Sequence, residues 1–265
     1  MKYMKTAVLH LLVVGLCTAA TVPNLHAQDD AADHSRKAIE LAKKKQYDAA
    51  AEEFGLAAKA EPKEHKHYSN RGKALRAAGK FDAAEADFTK VIEMNPDDAG
   101  AYSERGKVKV SQKQYDAAIE DLNKALELDE DDVDVYRFRA FAYLSKNEFD
   151  KAIEDYSKVL ESKRGDAQAL ERRAFAYRNL KQYDKAIADL TDVIEKEPKE
   201  AEAYRARGYA YSQADQPEKA AADFKTLLKL KPGDADAESR LKAVEAKAGA
   251  PNGKAAAGAA PSPAG

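Results

Sequence analysis

The sequence predicts an all-α protein made of six stacked helix–turn–helix repeats followed by one further helix. Two observations predict this fold class. The same residue types return every 34 positions, and within each 34-residue unit the apolar residues follow helical spacing in two runs. A period of this length is typical of stacked repeats, in which each unit buries its apolar face against its neighbours rather than in one central core.

The first 27 residues differ from the rest of the chain. A basic start at Lys2 and Lys5 precedes an apolar run over 7–20, and an acidic stretch follows. This order, with an apolar run too short to span a bilayer easily, predicts a cleaved secretory signal over 1–27. We therefore expect a periplasmic or secreted protein of a bacterial envelope. Two alternatives stay open: an uncleaved N-terminal anchor, and a lipoprotein attached through Cys17.

Composition excludes several classes of function. Cys17 is the only cysteine and lies in the predicted signal, so the mature chain would have no disulfide, no catalytic thiol and no thiolate metal ligand. The chain has 44 Lys and Arg against 46 Asp and Glu; without Lys2 and Lys5 the balance is 42 against 46, and the net charge changes from -2 to -4. This balance argues against nucleic-acid binding. After signal cleavage we expect no stable membrane insertion.

The repeats occupy residues 31–234. The six units are 31–64, 65–98, 99–132, 133–166, 167–200 and 201–234. In the second unit, a first helical run carries Tyr68, Gly72 and Leu75, a polar turn follows, and a second run ends before Pro96. Proline cannot continue a helix, so each unit is expected to stop at such a junction.

Small residues recur where the two helices of a unit would touch. They are Gly72, Gly106, Ala140, Ala174 and Gly208 in the first helices, and Ala50, Ala84, Ala118, Ala152, Ala186 and Ala220 in the second. Opposite charges also recur sixteen positions apart, as Lys37/Glu53, Arg71/Asp87, Arg105/Asp121, Arg139/Asp155, Arg173/Asp189 and Arg207/Asp223. We predict that these pairs tie the two helices together, each contributing no more than about 1 kcal/mol if exposed.

This pattern of aromatic, small residue, alanine, aromatic and proline in 34 residues resembles the tetratricopeptide repeat, over residues 31–234. Glu130 and Arg164 stand where the resemblance calls for proline, so those two junctions are expected to form slightly different turns. The resemblance implies a right-handed superhelix of helix pairs with a concave groove. It also implies protein or peptide binding, without a reaction and without a cofactor.

In this family the groove is lined by the second, fifth, ninth, twelfth and thirteenth positions of each unit. On this chain these positions include Lys66, Lys73, Arg76 and Lys107, and, in the last three units, Phe141, Phe175 and Tyr209 with Arg137, Arg178 and Arg205. Aromatic residues beside arginine are common anchors of protein interfaces. We expect the three rings to form one continuous stripe, with Arg137 and Arg205 meeting acidic groups of a ligand. The alternative is that the rings pack against the neighbouring helix.

The family's clamp for C-terminal carboxylates is not expected, because Ser35 and Ile39 occupy its lysine and asparagine positions. His65 and His67 are a close pair, but a metal site needs more ligands, so we interpret them as an exposed junction. The acidic stretch 127–134 lacks the central glycine and the bidentate glutamate of a calcium loop. No metal site is predicted.

Two segments follow the repeats. Residues 235–247 are predicted as a capping helix, with Leu241 and Val244 covering the last unit. Residues 248–265 are almost entirely alanine, glycine and proline, with little to bury, and are expected to be a disordered tail.

The sequence therefore predicts a non-enzymatic interaction module of the cell envelope that holds a peptide or helix of another protein in its groove. The alternative is a chaperone-like holdase for unfolded envelope proteins; a spacer without a dedicated ligand ranks third. An enzyme is not expected, because the mature chain would have no cysteine, its histidines are peripheral, and no phosphate-binding loop or metal cluster is visible. A module and a holdase differ in selectivity, since a holdase would suppress the aggregation of many proteins.

Overall fold

The computed structural model describes the backbone of residues 25–249 and the side chains of residues 29–249. Within this range the chain forms thirteen α-helices and no β-strand, which confirms the all-α fold class. The helices are α1 Leu25–Lys43, α2 Tyr47–Ala60, α3 His65–Ala77, α4 Phe81–Met94, α5 Ala99–Ser111, α6 Tyr115–Leu128, α7 Val133–Ser145, α8 Phe149–Ser162, α9 Ala167–Asn179, α10 Tyr183–Lys196, α11 Ala201–Gln213, α12 Pro217–Leu230 and α13 Ala235–Ala248.

Each helix packs on the next one along the chain, so the molecule is a solenoid of helix pairs. The first helices of successive units also contact one another directly: α3 with α5, α5 with α7, and α9 with α11. These direct contacts indicate that the first helices lie on the inner, more tightly curved side of the solenoid. All ten predicted groove residues belong to first helices.

The two helices of a unit are close together because the side chains between them are small. All six alanines of the second-helix series are fully buried. A Cβ atom at Gly72 would lie 2.9 Å from the Phe88 ring, and one at Gly106 would lie 2.7 Å from Leu122 Cγ. Such distances are shorter than real Cβ contacts, so a larger residue at Gly72 or Gly106 would push the facing side chain away. This agrees with the small residue that the sequence predicts at this position.

The predicted charge pairs within each unit are confirmed. Arg105 donates Nε–H and Nη2–H to the two carboxylate oxygens of Asp121, at 2.8 and 2.7 Å. Its Nη1 donates to Thr89 Oγ1, on the second helix of the preceding unit, so one guanidinium joins three helices. Asp121 is buried. The limit of about 1 kcal/mol that is expected for an exposed pair therefore does not apply to Arg105 and Asp121.

The turn inside each unit places one residue in the left-handed backbone region. Glycine fills this position once, at Gly79 with φ +76°. In the other units it is Lys45, Lys113, Asn147, Lys181 or Asp215, with φ between +59° and +62°. Left-handed backbone brings Cβ close to the following carbonyl, so these five turns cost conformational energy that the packing of the helices offsets.

The turns between units have the same length at all six junctions, with four residues between helices. The expectation of a different turn is wrong for Glu130, whose junction has no residue in the left-handed region. It holds for Arg164, because the next residue, Gly165, has φ +73°. An acidic residue caps each following helix by accepting a backbone N–H, as Asp98 does from Ala101 at 2.9 Å. The caps are Glu64, Asp98, Asp132, Asp166, Glu200 and Asp234. Because this cap starts the next helix whether or not a proline precedes it, the turn keeps its length.

Helix α13 packs on the last unit through buried Val244 and half-buried Leu241. Most of the predicted signal, including Cys17, and residues 250–265 of the predicted tail lie outside the described residues; the last three signal residues belong to α1. Within residues 25–249, no helix combines the length and the apolarity that a membrane span requires.

Candidate functional site

An open cleft of about 520 Å³ lies between α9 and α11. Four of the predicted groove residues line it: Phe175, Arg178, Arg205 and Tyr209. Phe175 is 44% exposed, an unusual degree for a large apolar side chain in this protein. A partly exposed ring beside arginines on the inner face of a solenoid can serve as an anchor for another protein.

Arg178 lies between the two rings of this cleft. Its guanidinium is 5.5 Å from the centroid of Phe175 and 5.7 Å from that of Tyr209. Burial lowers the pKa of Arg178, partly offset by Tyr209. Among the described residues, none offers it a carboxylate at salt-bridge distance. Arg178 therefore presents a positive charge that the protein itself does not neutralise.

Packing fixes both rings of the cleft from behind. Phe175 meets Phe149 edge to face, with centroids 6.3 Å apart, and Tyr209 meets Phe224 in the same way at 5.7 Å. The Tyr209 hydroxyl donates a short hydrogen bond to Asp236. The rings thus contribute one edge to the core and leave another open to the cleft. The packing alternative therefore holds in part, and the use of these rings as a binding surface stays a prediction.

A second, smaller cleft of about 230 Å³ adjoins the first and contains Phe141 and Arg137. Gln168 and Arg172 line both clefts. Arg172 lies over the Phe141 ring, 5.8 Å from its centroid, so a guanidinium stands between Phe141 and the other two rings. The expected continuous aromatic stripe is therefore wrong: rings and arginines alternate along the inner face.

Arg137 and Arg205, which are expected to meet acidic groups of a ligand, already have acidic partners within the protein. Arg137 donates to both carboxylate oxygens of Asp166, at 3.2 and 2.9 Å. Arg205 is bonded to the side chains of Asp234, Asp236 and Glu202. Both guanidinium groups are thus held by carboxylates of the protein itself, which neutralise the charge that a ligand would meet.

The basic half of the groove is partly neutralised as well. Glu104 accepts from Arg76 Nε at 3.1 Å and from Lys107 Nζ at 3.2 Å. Lys107 also lies 5.6 Å from the centroid of the Phe138 ring. Lys66 and Lys73 are exposed. Lys73 lines a separate cleft of about 320 Å³ in the first two units, so the structure does not bring the four basic residues into one cluster.

The histidine pair is not the exposed junction that the sequence suggested. His67 is buried, 2.8 Å from Glu61 Oε2 and 3.2 Å from Ser35 Oγ, because the first unit packs over it. His65 is half-buried, with Nδ1 3.8 Å from Asp98. In the part of the chain that the structure describes, no three His, Cys, Asp or Glu side chains come together as a metal site.

Sequence reasoning missed Glu171, Arg172 and Gln168 in the main cleft. Glu171 occupies the fifth position of its unit, one of the groove positions of the family, so the signal was available. Burial is the main cause that raises the pKa of Glu171, and the charges of Glu200 and Glu197 add to it. The cleft therefore contains groups of both signs.

Several solved structures share this fold. YrrB, described as a tetratricopeptide repeat protein with an unusual peptide-binding site, has 22% identity and a TM-score of 0.67, covering 72% of this chain and 99% of its own. MamA has 25% identity and a TM-score of 0.60, covering 65% and 94%. A tetratricopeptide repeat protein from Parabacteroides merdae has 17% identity and a TM-score of 0.61, covering 82% and 99%.

A comparison with curated protein sequences finds no significant match. Family models give the positive result. One model of the tetratricopeptide repeat matches residues 35–99, 69–133 and 171–235, and a second matches residues 109–174. These segments overlap and together cover most of the chain, in register with the helix pairs described above. The chain therefore belongs to the tetratricopeptide repeat family.

Proposed function

We propose that this protein is a non-enzymatic interaction module of the bacterial cell envelope that holds a peptide or helix of another protein against its first helices. The observation that carries the proposal is the open cleft between α9 and α11, where Phe175 is 44% exposed and Arg178 has no acidic partner among the residues whose side chains are described. An exposed ring and an uncompensated charge on one inner face both cost stability that a bound partner would recover.

The comparisons support a binding use of the fold. YrrB is described as having a peptide-binding site, and it shares the helix-pair architecture over nearly its whole length. The envelope part of the proposal is supported by the basic start and apolar run of the first 27 residues.

Site-specific cross-linking tests where a partner binds. A photoreactive phenylalanine analogue at position 175 should cross-link to the partner in envelope extracts of the source cells. The same analogue at Ala188, exposed on α10 of the same unit, is the matched control. The proposal predicts one or two discrete cross-linked species from position 175 and none from position 188. Equal cross-linking from both positions would argue against a groove site.

The alternative function, a holdase, makes a different prediction. A holdase would suppress aggregation of several unrelated unfolded proteins when present at similar concentration. Light scattering of reduced or heated test proteins measures this directly. An interaction module should leave their aggregation unchanged, so broad suppression would favour the holdase.

A further inference from the structure

Three arginines on the inner face are paired with carboxylates. Arg76, the twelfth residue of the second unit, donates from Nε to Oε2 of Glu104, the sixth residue of the third unit, at 3.1 Å. In the fourth and sixth units, the fifth residue pairs with the last residue of its own unit, as Arg137 does with Asp166 at 2.9 Å and Arg205 with Asp234. The fifth unit, residues 167–200, has charged residues at both of these positions, Glu171 and Arg178, but not the matching partners.

The first of these residues is Arg178, the twelfth residue of the fifth unit. Ala206 occupies the position in the sixth unit that Glu104 occupies in the third, and it lines the same cleft as Arg178. Arg178 is half-buried between two rings, so it has lost part of its hydration without gaining a carboxylate. A guanidinium in this situation gains more from an incoming anion than a solvated one does.

The second is Glu171, the fifth residue of the unit. Glu200 is the last residue of this unit, the position that Asp166 and Asp234 occupy in the fourth and sixth units. Glu171 and Glu200 therefore stand where those two units have an ion pair. Their repulsion and the burial of Glu171 raise its pKa. The adjacent Arg172 stacks on Phe141 instead of bonding to Glu171. An incoming cation would relieve this repulsion.

We propose that the cleft of the fifth unit binds an amphipathic helix of a partner protein, which places an acidic side chain on Arg178, an apolar side chain on Phe175 and a basic side chain on Glu171. The inference rests on the proposed function and specifies the partner's chemistry. Glu171 and Arg178 are seven residues apart on α9, which corresponds to roughly 10 Å along the helix, with Phe175 between them. Charges seven residues apart on a ligand helix have the same separation and face the same side.

The probes are synthetic alanine-based helical peptides with a fluorescent label. One peptide carries Lys, Leu and Glu at the first, fifth and eighth positions of its central segment, and a second carries the reverse order, since the two helices can lie in either direction. A third peptide has Gln in place of both charged residues. Fluorescence anisotropy with the full chain is expected to show one charged order binding at least about tenfold tighter than the neutral peptide.

Neutralising variants test each contact. R178Q and E171Q should each weaken binding of the favoured peptide by about tenfold or more and leave binding of the neutral peptide unchanged. R76Q is the matched control, because Arg76 occupies the same place in its unit but is already paired with Glu104. It should leave the affinity unchanged.

Repairing variants test the same contacts without loss of folding. A206E would give Arg178 the partner that Arg76 has, and E171R would give Glu200 the partner that Asp166 has. Both should keep or raise the melting temperature and lose the preference for the charged peptide. A raised melting temperature with unchanged peptide affinity would overturn the inference.

Two further outcomes would overturn it: equal affinity for the charged and neutral peptides, or equal effects of R178Q and R76Q. These failures are distinguishable from failure of the proposed function. If position 175 still cross-links to a discrete partner while the charged peptides show no preference, the groove binds proteins but does not select this charge pattern. If neither occurs, both proposals fail.

Discussion

Arg139 and Asp155 form a two-pronged ion pair inside the fourth unit. Nε and Nη2 of the arginine donate to the two carboxylate oxygens at 2.8 and 2.7 Å, and Nη1 donates to Asn123 Oδ1 at 2.8 Å. The guanidinium also lies 5.4 Å from the centroid of the Tyr136 ring. Asp155 is only 2% exposed. Since one side chain joins three helices, the pair sets the spacing of the helices within its unit and to the preceding one.

Removing the arginine should therefore be costly. Arg139→Met leaves the buried Asp155 carboxylate unpaired, and we expect a loss of about 3 kcal/mol in the free energy of unfolding at neutral pH. Urea denaturation of both proteins at the same pH measures the difference.

The loss should depend on pH. Burial raises the pKa of Asp155, and Arg139 opposes this rise, so the pKa increases further in the variant. A carboxyl whose pKa is higher in the folded than in the unfolded state stabilises the fold most below its unfolded-state pKa. That contribution to stability is lost as the pH increases through the folded-state pKa. The difference in the free energy of unfolding between Arg139→Met and wild type should thus narrow as the pH is lowered toward about 4. A gap that widens on acidification would contradict this account.

Gly106→Leu should destabilise the solenoid. A Cβ alone would lie 2.7 Å from Leu122 Cγ and 3.4 Å from the Ala118 carbonyl, so the larger side chain forces α5 and α6 apart. We expect a loss of roughly 1–3 kcal/mol in stability, measured by thermal melting. Ala83→Leu, at an exposed position of α4, is the control and should melt near wild type. Equal melting temperatures for both variants would refute the assigned contact.

Lys113→Gly should stabilise the protein by up to about 1 kcal/mol. Lys113 has φ +62°, which glycine adopts without a Cβ penalty, although glycine also gains entropy in the unfolded state. Gly79→Lys is the reverse substitution at the equivalent turn, where φ is +76°, and should destabilise by a similar amount. Chemical denaturation of the pair tests both signs; changes in the same direction would rule out backbone strain as the cause.

Phe175→Ala should separate binding from folding. Removing the half-exposed ring is expected to weaken partner binding by roughly 2 kcal/mol and to change the melting temperature little. Phe88→Ala is the contrasting control, because Phe88 is fully buried and its loss should cost roughly 3–5 kcal/mol of stability. A large drop in melting temperature for Phe175→Ala would show that the ring belongs to the core.

We predict that the protein is exported and that its mature chain begins near Gln28. Mass spectrometry of protein isolated from the periplasm or culture medium of the source cells would measure the mature terminus. Cleavage there shortens α1 but keeps buried Ala31 and Ala38, so the mature chain should melt as cooperatively as the full chain. An intact Met1 in a soluble cytoplasmic fraction would contradict the predicted location.

The repeat period alone was enough to predict the architecture. Contacts within a unit involve residues at fixed, short separations, so a position that must be small, such as Gly106, or charged, such as Asp155, shows its role by recurring. The sixteen-residue charge pairs were predictable for the same reason. The helix order and the capping helix followed from the spacing of apolar residues and prolines.

Only the tertiary structure decided which groove charges remain available. Whether an arginine meets a partner depends on one particular residue of another turn of the solenoid: Arg76 meets Glu104, whereas Arg178 meets Ala206. A repeat pattern describes what successive units share, while these contacts depend on how they differ. The same limit explains why Arg205 was predicted to face a ligand although Asp234 neutralises it. The stacking of units, which brings residues about 28 apart together, is therefore what separates structural charges from binding ones.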